Sequence, residues 1–354
     1  MKALGKLLAT QRKNKNYTLS EVGLKLGIDA AILSKIERSL RKATRAQVKV
    51  LANFYGISHK AAFTAWLSDK ILYELQGEPF AQDAFIVAEE AMTYAVQNNN
   101  PPENESIVKA LQTIDTLHQN WVGKKPLNAT QLLKMQEYFN VAYTFNSNLI
   151  EGNTLTMQET HLVVNEGLTI SGKSVKEHLE AVNHYEAIDF IYELVQNKEP
   201  LTERVLKEIH YLILKSIDRS NAGVYRKVPV IISGSSHKPP QPYLLDKQME
   251  DVFMYYNSVR GKIHPVLLAA QMHQKIVTIH PFIDGNGRTC RLIMNLILLQ
   301  NGFTIANLKG DNISRKSYYE ALELAHQPNN QSVFNALIIN TAIQSLQDHL
   351  ELAG

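Results

Sequence analysis

A chain of 354 residues is long for a single hydrophobic core, so two domains are expected. Its 45% hydrophobic and 20% charged residues describe an ordinary soluble globular protein. No apolar run approaches the ~20 residues of a membrane span, and the opening residues read as an amphipathic helix rather than a signal peptide. One cysteine, Cys290, excludes an internal disulfide and fits a reducing cytoplasm. The net charge of +3 conceals an asymmetry. Residues 1–60 hold 13 Lys+Arg against 3 Asp+Glu, which leaves 24 against 31 for the remainder from chain totals of 37 and 34. A basic N-terminal piece on an acidic body points to a nucleic-acid-binding module joined to another function.

Residues 1–76 form the first predicted domain. Leu4, Leu7, Leu8 and Arg12 suit a first helix; Thr18 caps a second over Ser20–Leu26, and Gly27 turns the chain. Asp29 caps a third helix running through Ile32, Leu33 and Ile36 to Arg38, and Val48, Leu51, Ala52 and Tyr55 build a fourth that stops at Gly56. The stretch from Thr18 to Asp29, followed by Ser34-Lys35-Ile36-Glu37-Arg38, resembles the Cro/cI-type (XRE) helix-turn-helix fold. That resemblance implies DNA binding through Lys35, Arg38, Arg41 and Lys42, and pairing of two copies on two half-sites. Ala30, Ala31 and Ile32 stand where polar base-readers often stand in that family; they can touch a thymine methyl but read no donor–acceptor pattern. A protein-docking bundle with a solvated basic face is the alternative.

Residues 77–109 read as a connector, helical over Asp83–Val96 and then broken by the polar, proline-interrupted run Gln97–Ser106. From about Thr130 a helix carries Leu133, Met135, Phe139 and Tyr143 and ends at Ser147-Asn148-Leu149-Ile150-Glu151-Gly152-Asn153. Glycine is an ordinary stop there, but a carboxylate at a helix C-terminus opposes the macrodipole and calls for a partner. The segment Gly223–Pro240 contains the β-branched run Val228–Ile232, a turn at Ser233-Gly234 and a closing double proline, which predicts a short β-hairpin.

Two further helices, Pro265–Ile279 and Thr289–Gln300, flank the most informative stretch, His280-Pro281-Phe282-Ile283-Asp284-Gly285-Asn286-Gly287-Arg288-Thr289-Cys290-Arg291. Consecutive amides of a glycine-containing turn at a helix N-terminus cradle phosphate oxygens. Arginines supply forked, permanently charged donors for phosphates. A carboxylate is the usual protein ligand for the Mg²⁺ that accompanies a nucleotide, and a histidine can take a proton from an attacking hydroxyl.

That dodecamer resembles the signature of Fic (filamentation-induced-by-cAMP) proteins, with every defining position filled. The resemblance covers roughly residues 110–354 and implies an all-α architecture: the helix-turn-helix bundle followed by a helical Fic domain with a short β-hairpin flap. It also implies transfer of AMP from ATP·Mg²⁺ to a hydroxyl of a target protein. His280 would be the general base and Asp284 the metal ligand, with the phosphates on Gly285, Asn286, Gly287, Arg288, Thr289 and Arg291. The flap residues Ile231, Ile232, Ser233 and Gly234 would cover the site and register the target, while Tyr318, Tyr319 and His326 would line the adenine pocket. Ser147 to Gly152 matches the family's inhibitory motif, so Ser147, Glu151 and Gly152 would end an inhibitory helix over about 131–153, with Glu151 paired to Arg291 where the γ-phosphate belongs. The same carboxylate could activate water and remove AMP from a modified target. Transfer of phosphate, UMP or phosphocholine, and a DNA-binding regulator whose Fic portion only senses nucleotide, are the other readings.

Overall fold

A computed structural model describes residues 3–85, 88, 105–124, 128–327 and 330–354. Most of the helix expected over Asp83–Val96, and the linker up to residue 104, lie outside the described residues. The chain folds as two compact units, 1–91 and 92–354.

Unit 1 contains α1 (Ala3–Asn14), α2 (Leu19–Leu26), α3 (Ala30–Glu37), α4 (Arg45–Tyr55) and α5 (His59–Glu74). Local chemistry sets their ends. Thr18 closes a capping box with Glu21, Asp29 accepts from the amides of Ala31 and Ile32, and Thr44 closes a second box with Gln47. Gly27 and Gly56 end α2 and α4 in the left-handed region, at φ of 64° and 69°. Leu4, Leu8, Val22, Leu33, Ile36, Val48, Leu51 and Tyr55 make one core, and Arg12 ties α1 to α3 through a two-pronged pair with Glu37 at 2.7 and 2.9 Å.

Unit 2 contains α6 (Glu105–Gly123), α7 (Ala129–Ile150), α8 (Met157–Glu166), α9 (Val175–Gln196) and α10 (Glu203–Leu214). A short 3₁₀ turn at Pro242–Leu244 then leads into α11 (Leu245–Val259), α12 (Pro265–Ile279), α13 (Asn286–Gln300), α14 (Asn312–Ala325) and α15 (Ser332–Ala353). The hairpin of α12 and α13 is central: thirteen residues of α12 and twelve of α13 are buried, so helices pack around nearly the whole circumference. α9 and α10 cover one side of this hairpin, α15 and α11 pack on α12, and α7 lies against α9 and the first turns of α13. The signature loop between α12 and α13 therefore sits on the best-supported pair of elements in the unit.

The described residues contain no β-strand, so the expected hairpin over Val228–Ile232 is corrected. A two-stranded ribbon is marginal alone, and Pro229, Pro239 and Pro240 lack the amides that a ladder needs. Instead the segment is a loop closed at its feet by Arg226, whose Nη2 donates to Pro240 O at 2.7 Å and Nη1 to Val228 O at 3.0 Å. Among the described residues no helix is long and apolar enough to cross a membrane.

The docking of α7 is close enough to test. Gly310 donates its amide to Asn146 Oδ1 at 3.0 Å, and a Cβ built on it would meet Leu149 Cβ at 2.7 Å and Asn146 O at 2.8 Å. Gly310→Ala should cost about 1–3 kcal/mol by overpacking, read as a lower urea midpoint at unchanged m-value. An unaltered midpoint would contradict this packing.

Candidate active site

His280 follows the last turn of α12 in a left-handed conformation, φ 51°, which costs energy for a residue with a Cβ. Tertiary bonds hold it there. Arg226 Nε donates to His280 O at 2.8 Å, and the next amide along that loop, Arg226 N, donates to Pro281 O at 2.9 Å. The ring Nδ1 lies 3.3 Å from Val277 O; as the donor in that contact it leaves Nε2 as the lone-pair nitrogen. Burial pushes the imidazole down to about 4, against a smaller opposite pull from the Val277 contact. His280 is therefore neutral near pH 7, which is the state a base requires.

The loop beyond it is braced by its own side chains. Asn286 accepts from Phe282 N at 3.0 Å and donates to Phe282 O at 2.9 Å, so its amide closes the turn rather than reaching outward. Gly285 caps α13 at φ 77°, and no side chain caps this helix end. His210 supports the loop from beneath: Nδ1 accepts from Gly223 N at 2.8 Å, Nε2 donates to Asp284 O at 2.9 Å, and the ring stacks on Phe282 at 3.5 Å. Neither His210 nor Arg226 was assigned a role from sequence. Both act on backbone carbonyls and amides far away in the chain, and no local pattern marks such contacts.

The uncapped end of α13 meets a carboxylate from α7. Glu151 Oε1 receives Arg291 Nη2 at 2.7 Å, and the same oxygen would lie only 2.4 Å from a Cβ built on Gly287. The carboxylate thus pairs with Arg291 and lies against the first turn of α13, whose free amides favour an anion. Arg291 is wholly buried; it also donates to Ser147 Oγ at 3.1 Å, to Ser147 O at 2.9 Å and to Tyr318 Oη at 3.5 Å. Burial opposes its charge, yet Glu151 beside it holds its affinity for the proton above the ordinary value. Gly152 follows at φ 94°, a conformation that suits glycine alone.

Other assignments divide. Asp284 is half exposed, accepts from Gly285 N at 2.6 Å and lies 3.6 Å from Arg288. No group of three or more His, Cys, Asp or Glu able to hold a metal exists among the described residues, so a cation here would take most ligands from phosphate and water, as Mg²⁺ commonly does. Arg288 is buried and lies 3.2 Å from Glu180, a contact close enough for an ion pair but not aligned as a hydrogen bond. Its charge supports the loop from behind. Thr289 donates its amide to Gly285 O at 3.0 Å, and its hydroxyl is buried without a hydrogen-bond partner among the described residues.

The Tyr318 ring is buried to 2% exposure, and its hydroxyl lies 3.5 Å from Arg291 Nη1 and 3.0 Å from His273 Nε2, which braces the arginine. Tyr319, 41% exposed, donates to Ile150 O at 3.0 Å and so holds the end of α7. His326 stacks on His237 at 4.1 Å, with Nδ1 2.8 Å from Thr278 Oγ1, and burial pushes it down to about 3. Ile231, Ser233 and Gly234 are exposed and Ile232 half-buried. In unit 1, Lys35, Arg38 and Arg41 are exposed, whereas Lys42 lies over the Tyr73 ring and 3.7 Å from Glu74 on α5.

Neutral buried imidazoles carry a stability signature. His210 and His280 are held near 4, and His273 and His326 near 3, each chiefly by burial. The unfolded chain binds these protons near pH 6.5 and the folded one does not. Stability is therefore full above pH 6.5 and falls as pH drops toward 4, at up to about 1.4 kcal/mol per pH unit for each such histidine. Urea unfolding at pH 7, 6 and 5 should show a progressive fall; a flat profile would mean the rings are hydrated.

The Fic/DOC family model matches residues 200–298, and a helix-turn-helix model matches residues 8–60. The chain is 34% identical over 267 residues to the protein adenylyltransferase Fic of Nematostella vectensis, covering 71% of this chain and 62% of that protein. It is 35% identical over 200 residues to the protein of the same name from Drosophila grimshawi, covering 56% and 40%. The chain thus spans less than two thirds of the length of these relatives. A solved Fic-domain-containing signaling protein from Bacteroides thetaiotaomicron superposes with a TM-score of 0.63 at 29% identity, over 68% of this chain and 97% of that one. Fic-1 from C. elegans gives 0.63 at 23% identity over 99% and 98%, which speaks for the fold alone.

Proposed function

For a chain that carries a Fic/DOC domain behind an N-terminal helix-turn-helix domain, we propose protein adenylyltransferase activity: AMP passes from ATP to a hydroxyl side chain of a target protein or of the chain itself. One observation carries this reading most. A neutral His280, with Nε2 as its lone-pair nitrogen, stands at the head of an uncapped helix N-terminus whose arginine is already bound to a carboxylate. In the proposed reaction the target oxygen bonds to the α-phosphorus, the bond from that phosphorus to the bridging oxygen breaks, and pyrophosphate leaves. His280 Nε2 takes the hydroxyl proton. The amides of the first turn of α13 face the growing phosphoryl charge, and Arg291 orients the outer phosphates. Mg²⁺, held by Asp284 and the nucleotide, would neutralise charge on the triphosphate.

Glu151 is the proposed inhibitor, since its carboxylate rests on Arg291 and Gly287 where phosphate oxygens would go. The same group, near His280, could direct water onto an AMP-modified target. The loop 228–236 is the proposed flap, pairing as a strand only when a target segment lies beside it. Glu151→Gly should raise self-modification by ATP at least about tenfold, the worth of roughly 1.4 kcal/mol, and His280→Ala in that background should abolish it. Intact mass reads both, and one added AMP separates this activity from transfer of phosphate or UMP. The acid limb of the rate should lie near pH 4, following the depressed His280, rather than near 6.5.

A second reading, a DNA-binding regulator, draws on unit 1. Exposed Lys35, Arg38 and Arg41 lie on or just beyond α3, the expected recognition helix, and DNA would favour a homodimer on two half-sites. Cytoplasmic placement fits the single buried thiol of Cys290. In a gel shift the full chain should bind duplex DNA with affinity that falls steeply with salt, and Lys35→Ala with Arg38→Ala should weaken it. Salt-independent or absent binding would leave unit 1 as a protein-docking bundle.

A further inference from the structure

The loop 226–240 is fastened to its surroundings at more than its feet. On its descending arm the hydroxyls of Ser235 and Ser236 both donate to the Glu323 carboxylate, and the Ser236 amide donates to Glu323 Oε1 at 2.9 Å. The next residue, His237, donates from Nε2 to Thr278 O at 2.8 Å, two residues before His280, and its ring lies on His326. Ser235 Oγ in turn accepts from His237 N at 3.0 Å. Above these ties Val228 is 53% and Ile231 92% exposed, while Val230 and Ile232 are half-buried, so the apolar run of the loop buries only part of itself.

A loop with no strand ladder and only half-buried apolar residues has little else to keep its place. Three hydrogen bonds to one carboxylate supply that hold, and charge-assisted bonds are the stronger kind. The Ser235 and Ser236 bonds also draw the Glu323 carboxyl down to about 2, so the acceptor is charged at any ordinary pH. Glu323 belongs to α14, on the same face as Tyr319 one turn earlier, whose hydroxyl holds Ile150 O. The loop is thereby referenced to the helix that also braces the end of α7.

We propose that Glu323 is a positioning residue that sets the 228–236 arm beside His280, at the place where an extended target segment pairs with it. The proposal rests on the AMP-transfer reading above and adds to it the residue that fixes target register. Glu323 acts through the loop and does not touch the reacting atoms.

The test uses the full chain in a Glu151→Gly background, with ATP as substrate for self-modification and a non-hydrolysable ATP analogue as the binding probe. Glu323→Ala should speed hydrogen exchange of residues 230–237 by about tenfold and slow self-modification by about tenfold, the worth of one charge-assisted bond, while analogue affinity stays within about twofold. Glu323→Gln, which keeps reach but loses charge, should fall between. The double variant Ser235→Ala with Ser236→Ala should reproduce the Ala result and guards against misfolding of the first. Unchanged exchange would overturn the proposal, as would analogue affinity falling in step with rate, because Glu323 would then contact the nucleotide. Failure of the Glu151→Gly parent to modify itself would count against AMP transfer, while the exchange comparison would still decide whether Glu323 holds the loop.

Discussion

A guanidinium with no solvent exposure is the constraint on which unit 2 is built. Among the described residues Arg291 has one ionic partner, Glu151, and three neutral acceptor contacts from Ser147 and Tyr318. Stripping the partner from a buried charge costs about 3–5 kcal/mol, so this position requires an anion at all times. The folded chain supplies a carboxylate; a nucleotide would supply a phosphate. The same demand gives a reason why a carboxylate from a helix 140 residues upstream is held against Arg291.

The rest of the site is arranged so that the loop carrying His280 cannot relax. Its left-handed backbone, the Asn286 side chain across the turn, His210 beneath Asp284 and Arg226 across His280 O each fix a different point of the stretch 280–286. Catalytic geometry gains from such bracing because small misplacements of a base or an oxyanion donor are costly. Burial that rigidifies the loop also keeps the imidazole neutral, so mechanical support and the uncharged ring share one cause.

How much of this was legible depends on the range of each contact. Thr18, Asp29, Gly27 and Gly56 were read correctly as caps and stops because capping couples residues two to five apart. Glu151 announced itself by violating the helix dipole, and its partner is the arginine the motif implied. Val228–Ile232 misled, since β-branched residues describe an extended backbone without saying whether a second strand exists. Tyr318 shows a related limit: an aromatic beside a site can face a ligand or back an arginine, and its hydroxyl contact to His273 spans 45 residues.

The amino-acid sequence by itself determined the helix caps and stops of unit 1 and the glycine-containing turn between α12 and α13, because each of these is written in bonds between near neighbours in the chain. Tertiary structure alone decided which polar groups remain available. The Thr289 hydroxyl is buried without a partner among the described residues, Arg288 faces inward to Glu180, and Arg226, His210 and Glu323 become supports of the loops around His280. The physical reason is that a side chain's role follows from what buries it and what it bonds, and those partners arrive from distant segments only when the core closes.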